Sequence, residues 1–151
     1  MRRIILIAVS VICFTIAAAA QPRAIGLRCG WGAEISYQHT LGGNFIEADL
    51  GLFGSNSLNI GATYNWMIAQ PQWTDRGDWG IYAGPGAILG LGFGQESHFT
   101  AAVCGQVGVE YTFWFPLQLS LDIRPQFGLI TSGKRLYFDG YYPALSIRYR
   151  F

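Results

Sequence analysis

The feature that most constrains the fold is a period-two alternation of apolar and polar residues that continues to the last residue of the chain. In the final segment the apolar positions are Tyr141, Pro143, Leu145, Ile147, Tyr149 and Phe151. The positions between them include Ala144, Ser146, Arg148 and Arg150. Because successive side chains of a β-strand point to opposite faces, this pattern predicts a strand with one apolar and one polar face.

The same alternation recurs along the chain and predicts an all-β, antiparallel fold. It is found in residues 24–40, 46–52, 58–68, 79–92, 99–113 and 117–129. The first stretch is either one long strand or a hairpin that turns at residues 30–32, since a three-residue loop keeps the odd positions on one face. A single-chain bacterial membrane barrel has an even number of strands. We therefore predict eight strands, with two short ones at residues 24–30 and 32–40.

Two sets of turns separate the predicted strands, at opposite ends of the barrel. The end that carries both chain termini, called the inner end below, has turns at residues 41–44, 69–77 and 115–116. The opposite end, called the outer end, has loops at residues 30–32, 54–57, 94–97 and 131–140. We expect both termini on the periplasmic side. The outer loops are then short for a bacterial outer-membrane barrel, whose outer side normally carries the longer loops.

The charged residues of the polar faces indicate what fills the barrel. The apolar faces contain almost no ionisable group, whereas the polar faces carry Arg28, Glu34, Glu47, Asp49, Glu110, Asp122, Arg124, Arg148 and Arg150. Charges enclosed in a protein interior have to be paired, and here four basic residues accompany five acidic ones. The near balance predicts a lumen closed by Arg–carboxylate pairs, with the inward glycines at 80, 84, 86, 90 and 92 making room for the arginines.

The apolar faces are then expected to point outward into lipid, as in a membrane barrel and unlike in a soluble one. Lys134 is the single lysine of the chain, although soluble surfaces usually carry many. Outward aromatic residues group near the inner ends of the strands: Tyr37, Tyr64, Trp66, Trp79, Tyr111, Phe113, Tyr149 and Phe151. Others group near the outer ends: Trp31, Phe93, Phe99 and Tyr141. Two aromatic girdles are typical of the two membrane interfaces; the alternative is the core of a β-sandwich.

Prolines and cysteines add two local expectations. Pro85, Pro125 and Pro143 fall inside predicted strands, where proline cannot donate a ladder hydrogen bond, so we expect bulges or strand ends there. Cys29 and Cys104 fall on opposite faces of the predicted strands. We therefore predict that the two cysteines are unpaired.

The N-terminus has the pattern of a helical signal peptide. Arg2 and Arg3 precede an apolar run over residues 4–20, and the alanines at 18–20 offer a cleavage site before Gln21. The alternative, an uncleaved membrane anchor, would need a longer apolar run. The sequence thus predicts a signal peptide at residues 1–20 and an outer-membrane β-barrel at residues 21–151, located in the cell outer membrane.

The end of the chain carries a family resemblance. The segment from Ser146 to Phe151 resembles the C-terminal signature by which the assembly machinery recognises outer-membrane barrels, with Tyr149 and Phe151 as its aromatic positions. Residues 24–151 are similar in pattern to the small eight-stranded OmpA/OmpX-type barrels. This resemblance implies an antiparallel transmembrane β-barrel, a monomer, whose partners are outer-membrane lipids and the assembly machinery.

The sequence gives little support for catalysis, cofactors or nucleic acid. The net charge is +1 with no basic stripe, and no Cys/His cluster has the spacing of metal ligands. Some eight-stranded barrels modify lipid A, which requires a nucleophile, a base and an orienting group within reach. The two histidines are His39, at an inner turn, and His98, which follows Glu96 and Ser97 in an outer loop. We expect no enzyme and no cofactor, with a lipid A-modifying enzyme as the alternative.

The remaining prediction is a structural or surface-interaction role. An eight-stranded barrel is just wide enough for its own side chains, so we expect a filled lumen that does not conduct ions. A small porin-like channel is the other alternative. The predicted outer loop 131–140, with the residues that follow it to 142, could contact a surface partner or could rest on the rim of the barrel. The side chains of this contact patch would be Lys134, Arg135, Tyr137, Phe138, Tyr141 and Tyr142.

Overall fold

The computed structural model describes residues 23–30, 32–53, 56–93, 97–131 and 134–151. The predicted signal peptide at residues 1–20 lies outside these residues. The described chain contains ten β-strands: β1 (Arg23–Cys29), β2 (Ala33–Leu41), β3 (Asn44–Phe53), β4 (Ser57–Ala69), β5 (Asp78–Gly92), β6 (His98–Thr112), β7 (Leu117–Ile123), β8 (Gln126–Ile130), β9 (Arg135–Asp139) and β10 (Pro143–Arg150). Over the same residues there is no helix long and apolar enough to cross a membrane.

The strands close into an antiparallel barrel of eight strands, as the alternation predicts. Each strand from β1 to β6 pairs with the next, β6 pairs with β7, and β10 bridges β7 and β1. β7 and β8 lie end to end along β6 and form one barrel strand, and β9 and β10 form another. The ten segments therefore form eight barrel strands.

The first hairpin, on which the even count depends, is confirmed. β1 and β2 pair from Arg23↔His39 to Cys29↔Ala33, so the chain reverses at residues 30–32, of which residue 31 lies outside the described part. The other edge of β1 pairs with β10. Arg23 and Phe151 exchange backbone N–H···O bonds of 3.0 and 2.8 Å, and this pairing of the terminal strands closes the ring.

The last outer connection is shorter than predicted. The expectation of a loop over residues 131–140 is wrong, because Arg135–Asp139 is a strand that pairs with β8. Ile123 pairs with Pro143, and Gln126 pairs with Asp139. The first two paired positions on β7 and β8 are three residues apart, but their partners on β10 and β9 are four residues apart. The barrel strand formed by β9 and β10 therefore contains one extra residue. Gly140 lies in this bulge at φ 90°, and a Cβ there would clash with the carbonyl oxygen of Arg124.

Two of the three prolines behave as expected. Pro143 is the first residue of β10, and Pro125 lies in the gap between β7 and β8 opposite the bulge. Pro85 instead lies inside β5, and the register with β4 is the same on both sides of it. The β4–β5 pairing lapses at residues 84–85, while the pairing of β5 with β6 continues through Pro85. A local gap on one edge, rather than a bulge, thus accommodates this proline.

The barrel is polar inside and apolar outside, as the two faces predict. Among the described residues, sixteen buried side chains are polar or charged and six are apolar. Large apolar side chains point away from the lumen on every barrel strand, for example Leu27, Leu52, Ile60, Val103 and Leu145. The arrangement is therefore the reverse of a soluble barrel, in which the apolar face forms the core.

Candidate functional site

Seven charged side chains meet in the middle of the lumen. We call this set the charge plug: Arg28, Arg124, Arg148, Glu34, Glu47, Asp49 and Asp122. All of them are buried, and they lie on five adjacent strands of the ring, from β7 through β10, β1 and β2 to β3. The sequence predicts every member of this plug and the pairing of arginines with carboxylates.

The centre of the plug is an ion pair between Arg148 on β10 and Glu47 on β3, both completely buried. Their Nη2 and Oε1 atoms are 2.9 Å apart. Arg148 also donates to the hydroxyls of Ser36 and Ser120, at 3.0 and 2.7 Å. Since each donor of a buried guanidinium needs an acceptor, the serines complete what the carboxylate alone leaves unsatisfied.

Arg28 joins two further carboxylates to the plug. Its Nη1 lies 2.5 Å from Glu34 Oε2, the residue opposite it on β2. Its Nε and Nη2 both donate to Asp122 Oδ1, at 3.2 and 2.6 Å. Every nitrogen of this guanidinium therefore has a carboxylate partner.

Arg124 reaches across the lumen from the gap between β7 and β8. Its Nη2 lies 2.6 Å from Asp49 Oδ2 and 3.1 Å from Glu47 Oε1. Its Nη1 has a longer contact, 3.8 Å, with Glu34. The three arginines thus face four carboxylates, and the plug has a formal charge of −1.

A ring of neutral polar side chains packs beside the plug on its inner side. Thr63 Oγ1 and Asn65 Nδ2 donate to Gln106 Oε1, at 2.6 and 3.0 Å. Gln38 Nε2 donates to Glu47 at 3.0 Å. The sequence analysis names none of these residues as part of the site. Their position on the same alternate face as the charges is the signal that could have found them.

Two predicted members of the charge network lie outside it. Glu110 and Arg150 face the inner mouth, are half-buried, and form no ion pair with a described residue. Glu110 instead accepts a hydrogen bond of 2.8 Å from Gln118. The alternation gives the face of a residue but not its depth, and at this depth the lumen is already open.

Two cavities lie on either side of the plug. The inner cavity, of about 500 Å³, opens among the inner turns and includes Glu110 and Arg150 in its wall. The outer cavity, of about 650 Å³, has Arg28, Glu34 and Arg124 at its floor. The two share no lining residue, and the central pair Arg148–Glu47 borders neither. The lumen is thus filled across its middle.

The inward glycines of β5 have a different role from the one predicted. The atoms nearest to a Cβ built on Gly90 belong to Asn59 and Thr100, and those nearest to one on Gly92 belong to His98. No arginine is among the nearest atoms at any of the five positions. The expectation that they make room for arginines is wrong: Gly90 and Gly92 leave space for the side chains of Asn59 and His98, which line the outer cavity.

The histidines and cysteines do not come together. His98 lines the outer cavity, whereas His39 stacks on Tyr37 near the inner end, with ring centroids 6.4 Å apart. Cys29 is exposed, Cys104 is buried, and both are free, as predicted. Within the described residues no group of three His, Cys, Asp or Glu side chains could hold a metal ion.

Aromatic side chains mark both ends of the outer wall. At the inner end a continuous series runs from Trp73 through Trp79 and Tyr111 to Phe113, with successive ring centroids 5.2, 4.8 and 4.6 Å apart. At the outer end Phe138 and Tyr141 form an edge-to-face pair at 5.0 Å. Trp31, which the sequence analysis places in the outer group, lies outside the described residues.

The two terminal aromatics lie on the same outward face. Tyr149 and Phe151 are exposed, and their rings stack with centroids 6.4 Å apart.

Comparison of the chain with known proteins found no matching family model, no matching curated protein and no matching solved structure. Arguments about function therefore start from the barrel itself.

Proposed function

We propose that this chain is an outer-membrane β-barrel whose lumen is filled and does not conduct ions, with a structural or surface-interaction role. One observation carries the proposal: the charged residues are paired inside and the large apolar residues face out all around the ring. Soluble monomers rarely expose a contiguous apolar patch of more than a few hundred Å². A closed apolar wall of this kind needs an apolar solvent, and a closed barrel is one of two folds that satisfy every backbone group in lipid.

The ends of the wall and of the chain support the same proposal. The aromatic series at the inner end and the pair Phe138–Tyr141 at the outer end suit the two interfaces of a bilayer. Tyr149 and Phe151 end the chain on the outward face, where we propose that the assembly machinery recognises them. An OmpA/OmpX-type relationship and a monomeric state belong to this proposal and rest on the eight-stranded architecture alone.

The filled lumen supports the absence of conduction. An ion crossing the barrel would have to separate Arg148 from Glu47, which also holds Gln38 and Arg124 in place. Because both groups are completely buried, separating them would leave the Arg148 charge in the lumen without its carboxylate partner. We expect planar-bilayer recordings of the folded barrel to show no stable openings, and steady large openings would contradict the filled lumen.

The surface that a partner could use is the β8–β9 hairpin at the outer end. It replaces the loop predicted at residues 131–140, and it presents Arg135, Leu136 and Phe138 as exposed side chains. Because its two strands are hydrogen-bonded, it offers a stiff edge rather than a mobile loop. We propose this hairpin as the site of any surface interaction.

The membrane location is tested by placing one arginine at two depths of the outer wall. Val103 and Ile68 are similarly exposed, but Val103 lies near the middle of β6 and Ile68 near the inner end of β4. In lipid, arginine costs about 2–4 kcal/mol at the midplane and about 0–1 kcal/mol near the interface. We expect V103R to lower the free energy of unfolding in vesicles by about 2–4 kcal/mol, and I68R to lower it by no more than about 1 kcal/mol.

Both variants must first be shown to fold, by the shift in gel migration between heated and unheated samples. In water an exposed apolar side chain is replaced by arginine with little change, within about 0.5 kcal/mol. Equal and small effects of V103R and I68R would therefore show that the outer wall does not face lipid.

A further inference from the structure

The outer cavity contains polar side chains with unused hydrogen-bonding capacity. Asn59, Thr100, Gln126 and Tyr137 line it, and none of their side chains forms a hydrogen bond with a described residue. On the other side of the plug, by contrast, Thr63, Asn65 and Gln106 bond to one another. The side chains below the cavity thus bond mainly to one another, whereas the cavity wall offers donors and acceptors to whatever enters.

The floor of the cavity offers one more donor. Arg124 uses Nη2 for Asp49 and Glu47, while Nη1 has only the 3.8 Å contact with Glu34 among the described residues. Nη1 lies 3.6 Å from the position that a Cβ on Gly61 would take, and Gly61 is part of the cavity lining. An acceptor oxygen placed over Gly61 would give Nη1 a hydrogen-bond partner.

The charges around the cavity favour an uncharged ligand. Its charged lining residues are Arg28 and Arg124 against Glu34 and Asp139, which sum to zero. The plug beneath it adds Asp49, Glu47 and Asp122 against Arg148, three negative charges and one positive, so an anion would meet excess negative charge. A cation would meet the two guanidinium groups at the floor. Like charges placed together in an interface cost several kcal/mol, which leaves an uncharged molecule with both donors and acceptors.

Size and apolar lining narrow the class further. The cavity of about 650 Å³ lies within the range of about 300–1,000 Å³ typical of small-molecule sites. Ile88 and Tyr137 give it apolar and aromatic surface next to the amides and hydroxyls. We propose that the outer cavity binds an uncharged, hydroxyl-rich molecule of monosaccharide to disaccharide size, either as a free saccharide or as the terminal sugar of a surface glycan.

This inference does not depend on the membrane location of the barrel. It is tested on the folded full chain by saturation-transfer-difference NMR with glucose, maltose, glucosamine and glucuronate. The three monosaccharides have the same ring and differ in charge, so they separate recognition of hydroxyl groups from recognition of charge. We expect glucose and maltose to bind, and glucosamine and glucuronate to bind more weakly.

Two variants and one control locate the binding. Gly61→Leu fills the cavity over Arg124, since a Cβ there meets its nearest neighbours at 3.4 and 3.6 Å. We expect it to weaken binding at least about tenfold, and Asn59→Ala to weaken it about fivefold through one lost hydrogen bond. Gly43→Leu is the control, because Gly43 lines the inner cavity and a Cβ there meets nothing within 4 Å.

The outcomes separate the proposal from its alternatives. Tighter binding of glucuronate or glucosamine, no binding of glucose or maltose, or binding unchanged by both Gly61→Leu and Asn59→Ala would each overturn it. Vesicles that carry a glucosyl lipid provide a second arm with the same sugar. Binding of free maltose without binding to these vesicles identifies a free saccharide as the ligand, and competition between the two supports a glycan end.

Discussion

Replacing Arg148 with methionine tests whether the charge plug holds the barrel together. Methionine keeps much of the length of the side chain but removes the ion pair with Glu47 and the hydrogen bonds to Ser36, Ser120 and Ser146. Removing one partner of a buried pair costs about 3–5 kcal/mol, because the other charge stays buried. Glu47 keeps Arg124 at 3.1 Å, so we expect the lower end of this range, about 3 kcal/mol.

The assay is urea-induced unfolding of the vesicle-folded barrel, followed by tryptophan fluorescence. Arg150→Met is the matched control, since Arg150 lies on the same face of β10 at the inner mouth and has no ion pair with a described residue. We expect the control to change the free energy of unfolding by less than about 1 kcal/mol.

A second substitution distinguishes charge from packing. Glu47→Gln in the Arg148→Met background returns the plug from a formal charge of −2 to −1, because only one carboxylate loses its charge. We expect this double variant to recover at least about 1 kcal/mol relative to Arg148→Met alone. An effect of Arg148→Met no larger than that of Arg150→Met would refute the reasoning, and no recovery in the double variant would show that the loss reflects packing.

Two further predictions concern the bulge and the last strand. Gly140→Ala should lower the free energy of unfolding by at least about 1–2 kcal/mol, because residue 140 is at φ 90° and its Cβ would meet the carbonyl of Arg124. Gly105→Ala is the control, because a Cβ at residue 105 meets nothing within 4 Å. Equal effects of the two substitutions would contradict the argument. Phe151→Ala should slow assembly into the outer membrane of cells while leaving unassisted folding in detergent almost unchanged, since the side chain of Phe151 is exposed. Unaltered assembly in cells would show that the assembly machinery does not recognise Phe151.

The middle and the outer third of the lumen differ in how their side chains are paired. The middle of the lumen is closed by ion pairs between strands that are distant in the ring, and these links restrain the wall from inside. The lining of the outer third includes glycines and the side chains of Asn59, Thr100, Gln126 and Tyr137, which form no hydrogen bond with a described residue, so it has room and bonding capacity. A closed barrel with an open outer cavity fits the proposed membrane scaffold and the proposed binding of molecules at its outer end.

The sequence by itself determined the strands, their faces and the strand count. The direction of a β-strand side chain alternates whatever the strand packs against, so the alternation assigned Val103 outward and Glu47 inward without knowledge of the fold. The even count of a closed barrel then decided the first hairpin, although the alternation alone left it open. The inward charges of both signs also indicated that the lumen is filled.

Only the tertiary structure decided which groups meet and at what depth. Arg148 pairs with Glu47 across two intervening strands, and this depends on the stagger between all four, which no local pattern encodes. The same stagger places Glu110 and Arg150 at the open inner mouth, although they share the face of the plug residues. Residues 135–139 form a strand because they pair with β8, and the extra residue at Gly140 is a bulge only relative to the partner strand.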